Sequence, residues 1–195
     1  MSKMIHILQN RVSGKTVFIL FAITMGIYAT MLMITIPAVQ KQAPHLSLFD
    51  MSPAGYSFEY ATTLLDGLGA VGRRTYLSQQ LPLDFVYPGL FAISYTLLLI
   101  WLFGKGFAAE SPIFYLAFTP ALAGMFDYLE NIGIILMLKS YPHLSAATVS
   151  FASLNTLLKS ICTIGFYLLL LVGVTAFTRK KIAGRSRPDS LHHSE

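Results

Sequence analysis

Two short stretches place ionisable side chains where an apolar helix should run. In Phe126-Asp127-Tyr128-Leu129-Glu130-Asn131, the residues Asp127, Glu130 and Asn131 stand at i, i+3 and i+4 and share one helix face. In Asn155-Thr156-Leu157-Leu158-Lys159-Ser160, Asn155 and Lys159 stand one turn apart, and Thr163 continues the stripe. Carboxyl groups and an ammonium inside apolar runs suit three kinds of chemistry. They can bind a cation or proton, transfer a proton as general acid or base, or tie helices together as an ion-pair network.

The two stretches should meet. They lie on the arms of an antiparallel helical hairpin whose turn centres near Leu144-Ser145, so Glu130 and Lys159 are level. Asp127 falls about one turn deeper, and Asn155 lies closer to the hairpin end. Glu130 is roughly 13 Å along its helix from Lys139, at about 1.5 Å per residue, which places it well below the surface. A charge buried in lipid costs several kcal/mol unless paired or hydrated. Two carboxylates against one lysine leave one negative charge in excess. A protonated carboxyl, an arginine or a cationic ligand, metal or wet pocket would meet it. Arg73 and Arg74 are the candidate arginines. Asp84 and Tyr87 stand at the same end of the preceding apolar run. The candidate ligand-binding cluster is therefore Arg73, Arg74, Tyr76, Asp84, Tyr87, Asp127, Glu130, Asn131, Asn155 and Lys159.

The elements that must carry this cluster are membrane spans. The 195-residue chain is 54% hydrophobic and only 12% charged, against about a quarter charged in a soluble domain. Crossing the hydrocarbon core takes roughly 20 apolar residues. Four stretches qualify, at about residues 16–39, 84–103, 111–138 and 146–177. The fold class predicted is all-α: one polytopic membrane domain, a four-helix bundle. The first stretch is too long for a cleavable signal peptide and lacks a small-residue cleavage site at Pro37-Ala38-Val39. Lys3, Arg11 and Lys15 precede the first span, and Arg179, Lys180, Lys181, Arg185 and Arg187 follow the last. That bias puts both termini and the basic tail, residues 178–195, in the cytoplasm. In a bacterium the membrane would be the inner one, with residues 40–82 on the periplasmic side. Beside membrane spans the basic tail reads as a topology anchor at anionic lipid, not as a nucleic-acid site.

The 40–82 segment should be structured. Ser57 can cap a helix that starts at Phe58, with Phe58, Ala61, Leu64, Leu65 and Leu68 on one face and Glu59, Thr62, Thr63 and Asp66 on the other. Such an amphipathic helix, lacking a Lys/Arg-rich polar face, should cap the bundle, either as a lid or as a shield. A second helical stretch, about 71–81, leads into the next span. Ser111 is placed to cap the third span with Pro112 first in it, and Pro120 and Pro88 should kink their helices. Ala22, Gly26, Ala117 and Ala121 offer close helix packing, which leaves the oligomeric state open.

Much chemistry is excluded. The single Cys162 can form neither an internal disulfide nor a thiolate cluster. His6, His45, His143, His192 and His193 all fall at termini or in loops, which argues against bundle haem and a multi-histidine zinc site. No metal is predicted and the residues name no cofactor. Phosphate-binding glycine loops, nucleophile elbows and internal repeats are absent from the sequence.

Gly72-Arg73-x-x-Tyr76, Asp84-x-x-Tyr87-Pro88 and Asp127-x-x-Glu130-Asn131 together resemble uncharacterised small four-span bacterial integral membrane proteins. The likeness runs from the segment after the first span to the fourth span and implies the topology, but no activity. A weaker, architectural similarity is to the sterol-isomerase and sigma-2-receptor superfamily, four-span bundles whose buried acids face an amine or carbocation. Three readings stay open: binding or transport of a cation, proton or amine-like ligand; an intramembrane enzyme using a buried carboxyl as acid/base on a lipid or isoprenoid; and a structural or assembly subunit. The partners implied are the lipid bilayer and a small-molecule or lipid ligand.

Overall fold

The computed structural model describes residues 7–9 and 11–185. The expectations for Lys3, His6, Arg187, His192 and His193 lie outside the described residues. Among these residues every regular element is helical. Four helices are long and apolar enough to cross a membrane.

Helix α1 spans Gly14–Gln40. It starts where the Ser13 side chain accepts the Thr16 N–H at 3.1 Å, satisfying one of the donors every helix start leaves open. A wide π-type turn at Met31–Thr35 precedes Pro37, so the proline falls at a helix joint. Helix α2, Phe58–Thr75, is the expected cap helix. Ser57 accepts the Tyr60 N–H at 3.1 Å. Ala61, Leu64, Leu65 and Leu68 are buried, but Phe58, placed on that face by periodicity, points outward from the first turn. Gly69 breaks the helix at φ 58°, ψ −175°, a backbone region that only glycine enters readily. The chain then runs through Tyr76–Gln80 into helix α3, Leu81–Gly106, which carries Pro88 in its interior.

The third span differs from its expected form. It consists of a short α4, Ile113–Leu116, and a longer α5, Thr119–Ser140, joined through Ala117 and Phe118. Pro120 sits in the first turn of α5, where its missing N–H leaves no bond unmade, so it starts a helix instead of kinking one. Ser111 provides no side-chain cap. Its carbonyl accepts the Phe114 N–H at 3.3 Å. Helix α6, Ala146–Arg185, is a single run of 40 residues. That is ~60 Å at about 1.5 Å per residue, roughly twice the thickness of a hydrocarbon core.

Helices α3, α5 and α6 form the centre, and α1 lies along α3 while hardly touching the other two. Small residues let the central helices close up. A Cβ on Gly133 would stand 2.5 Å from the Ala152 Cβ, and one on Gly124 would stand 2.7 Å from the Pro88 carbonyl oxygen. In α1, by contrast, Ala22 and Gly26 are exposed and Gly26 has open space around it. Two apolar clusters result. One joins α2 and the loop residues Leu48 and Phe49 to Ile134, Met137, Val149 and Ala152. The other packs Phe91, Tyr95, Phe103, Phe114 and Phe166 at the opposite end. The first end is called the cap end below. The second is the basic end, marked by Lys15, Lys105 and Arg179.

Gly133→Leu should destabilise the protein by about 1–3 kcal/mol, the usual consequence of overpacking, whereas Gly26→Ala should be neutral or slightly stabilising. Thermal unfolding of the two variants in one detergent checks this, and equal midpoints would refute the assigned α5–α6 contact.

Candidate functional site

Lys159 organises a polar cluster between the two apolar ones. Its Nζ lies 3.2 Å from Asp127 Oδ1 and forms a second, closer ion pair with Glu130 Oε2. The expected levelling of Glu130 with Lys159 on the two hairpin arms is therefore seen. Glu130 also accepts the Thr156 hydroxyl at 2.8 Å on its other oxygen. Asn131, on the same face of α5, donates through Nδ2 to the Asp84 carbonyl at 2.7 Å and so locks α5 to α3. Asn155 is buried but donates to the Phe151 carbonyl of its own helix at 2.7 Å.

The expected arginine complement is not supplied. Arg73 donates to the Leu65 carbonyl at 2.6 Å and lies 4.1 Å over the Tyr141 ring. Arg74 is exposed. The break at Gly69 bends the chain so that Arg73 caps the carbonyls of α2 instead of entering the bundle. Tyr141 is held there by donating to Asp66 at 2.8 Å.

A fourth carboxyl arrives from the loop between α1 and α2. Asp50 follows Phe49, whose ring is fully buried, and this anchor turns the carboxyl inward. Asp50 Oδ2 accepts from Gln80 Nε2 at 3.3 Å, and Gln80 in turn accepts the Thr35 hydroxyl. The buried Tyr76 hydroxyl stands beside Asp50 without a well-formed hydrogen bond. Tyr56, from the same loop, has its backbone N–H held by Ser153 Oγ at 2.8 Å, and its hydroxyl is buried without a hydrogen-bond partner. Its ring also forms part of the wall of a cap-end cavity of about 430 Å³ that includes Ser47, Met51, Ser52 and Tyr60. Asp50, Tyr56, Gln80, Thr35 and Thr156 were not read from the sequence. The available signal was Asp50 itself, a lone acid directly after the apolar pair Leu48-Phe49.

Asp127 and Glu130 pair with Lys159, and Asp50 and Asp84 are two further buried acids of the same region, outside ion-pair distance of that lysine. Several enclosed oxygens have no partner: Asp50 Oδ1, Asp84 Oδ2, Asn131 Oδ1 and the hydroxyls of Tyr56 and Tyr76. Burial pushes the Asp50 carboxyl above the ordinary carboxylate range, against the pull of Lys159. Burial, reinforced by the Glu130 charge, also pushes the Tyr56 hydroxyl upward. Among the described residues no three His, Cys, Asp or Glu side chains converge on a metal position.

The level of the cluster follows from helix geometry. Arg179 to Lys159, Lys105 to Asp84 and Lys15 to Thr35 each span about 20 residues, or ~30 Å of rise. That equals one hydrocarbon thickness. The cluster is deep beneath the cap, yet it stands a full apolar layer away from the basic end.

Searches against protein-family models, curated proteins and solved structures find no match.

Lys159→Met should cost about 3–5 kcal/mol, because it leaves buried carboxyls without their counter-charge, and adding Glu130→Gln should recover part of that loss. Chemical denaturation of the single and double variants measures the difference. Additive losses would refute the pairing. Asp50 gives a pH test. Its folded pKa is raised, so the native state binds more protons than the unfolded one between the two pKa values, and stability falls as pH rises through that window. Asp50→Asn should therefore flatten the loss of thermal stability above about pH 4, the unfolded carboxyl value. An unchanged pH profile would contradict the burial of this carboxyl.

Proposed function

We propose that this is an integral membrane protein that binds a small cation, proton or amine-like ligand at the carboxylate cluster, approached from the cap end. The observation that carries the reading is the set of enclosed, unpartnered acceptor oxygens on Asp50, Asp84 and Asn131, within a cluster of four acids and one lysine. In a low-dielectric interior such an excess must be met by protons or by a cation. A network closed on itself would leave fewer such acceptors unsatisfied. The basic end, by its lysines and arginines, is taken to be cytoplasmic, and the cap end to face outside.

Binding fits better than passage through the bundle. Below the cluster, the rings of Phe91, Tyr95 and Phe166 pack together with centroids 4.6–5.7 Å apart, Phe91 edge to face with both others, and fill the interior toward the basic end. The enzyme reading keeps one specific observation in its favour. Lys159 and Asp127 retain 19% and 10% side-chain exposure, at a level where lipid surrounds the bundle.

Protons and a cation should compete for the same oxygens. With purified protein in nanodiscs, ammonium or tetramethylammonium chloride should raise the unfolding midpoint at pH 8 against an ionic-strength control. The apparent affinity should fall by about tenfold or more toward pH 5, each tenfold being ~1.4 kcal/mol. Glu130→Gln and Asp84→Asn should weaken it similarly. An effect that ignores pH, or survives in both variants, would rule this reading out.

A further inference from the structure

The cavity at the cap end holds about 430 Å³, within the roughly 300–1,000 Å³ of small-molecule sites. Ser47, Met51, Ser52, Ala54, Tyr56 and Tyr60 form most of its wall, and no lining residue carries a charge. Tyr60 donates its hydroxyl to the Ser47 carbonyl at 2.8 Å, and Ser52 donates to the Leu48 carbonyl at 3.0 Å. Those hydroxyls are already engaged, so a guest would meet mainly tyrosine rings and the Met51 thioether.

Hydrogen bonds connect this wall to the charge cluster at two points. Met51 directly follows Asp50, whose Oδ2 accepts from Gln80 and whose Oδ1 is enclosed without a partner. Tyr56 is fixed through its N–H to Ser153 Oγ at 2.8 Å. Three residues further along α6, Thr156 donates to Glu130 at 2.8 Å. Three residues are ~4.5 Å of helix rise, so the cavity wall stands about one turn above the ion-paired carboxyl. The Tyr56 ring packs on the buried Phe49, 4.6 Å between centroids. Tyr56 is thus a partition with the cavity on one side and the buried polar layer on the other. Gly55 keeps that partition thin. It sits at φ 79°, and a Cβ there would stand 2.6 Å from Ser153 Oγ, so only glycine lets the loop lie this close to α6.

Resting on the cation-binding reading above, we infer that the ligand is an organic ammonium compound whose uncharged body fills the cap cavity and whose charge meets the carboxylates at the Tyr56 partition. The chemistry divides in the same way as the structure. Tyrosine rings and a thioether suit alkyl and aryl groups, and a tyrosine face also suits the methyl groups around a quaternary nitrogen. The cavity has no carboxylate of its own, whereas the layer one turn below has several with free oxygens. An anionic guest would be opposed by those acids. A proton or an inorganic cation would use the oxygens alone and gain nothing from the cavity.

The test compares tetramethylammonium with benzyltrimethylammonium, the same charge with and without a body, by thermal shift on the full-length protein in nanodiscs. Cysteines are introduced into a Cys162→Ser background, which removes the single native thiol. Each variant is compared with its own form labelled by N-ethylmaleimide. The benzyl compound should bind at least about tenfold more tightly, ~1.4 kcal/mol. Labelling Ala54→Cys, in the cavity wall, should erase that advantage. Labelling Thr63→Cys, exposed on α2 and outside the wall, should keep it. Glu130→Gln should weaken both compounds and leave their ratio unchanged. Equal affinities, or an advantage that survives labelling at Ala54→Cys, overturn the cavity assignment. If tetramethylammonium still stabilises the protein in competition with protons, the cation site stands without it. If neither compound stabilises the protein, both readings fall.

Discussion

Everything at the cap end depends on Lys159 having two carboxylates. A lone ammonium between α5 and α6 would be intolerable in an apolar bundle, and so would Asp127 and Glu130 without it. Their pairing fixes the rotation of α6 against α5, because only one register brings Lys159 between two acids a single turn apart. Gly133 and Ala152 then permit the close approach that the register needs. Asn131 carries the constraint across to α3 through the Asp84 carbonyl. Each polar link between membrane helices contributes only about 0.6–2 kcal/mol. The arrangement is held because the links share one lysine and cannot be satisfied separately.

The cap is built on the same logic. Phe49 is fully buried and acts as the anchor that lets a polar loop deliver Asp50 inward. Ser153 of α6 holds the Tyr56 backbone, and Ser153 also stands where a side chain on Gly55, at φ 79°, would collide. Loop and bundle are thus fitted to each other, and the cap contributes a carboxyl and two phenols to the site it covers.

What the sequence revealed and what it hid divide along physical lines. The spans were legible because crossing lipid demands length and apolarity, which composition records directly. Asp127, Glu130 and Lys159 were legible because charges stand out against that background, and helical spacing predicts which of them face each other. Asp50 was hidden because its burial depends on a loop folding back, which no periodicity encodes. Arg73 was misplaced for a related reason. Charge balance suggested a carboxylate partner, but Gly69 redirects the chain and gives the guanidinium a backbone carbonyl and an aromatic face instead. Pro120 showed that a proline inside an apolar run can begin a helix as well as bend one.

The distance between the cluster and the basic belt has an electrical consequence. In a polarised membrane the voltage drops across the hydrocarbon layer, and moving one charge through all of it is worth about 2.3 kcal/mol per 100 mV. A cluster at one edge of that layer lies almost outside the field. Filling or emptying it from the cap side would displace hardly any charge across the membrane. Occupancy of the proposed cation site would then follow the chemistry of the fluid beside the cap and respond little to the membrane voltage. The packed aromatic rings toward the other end would keep the two sides insulated from each other.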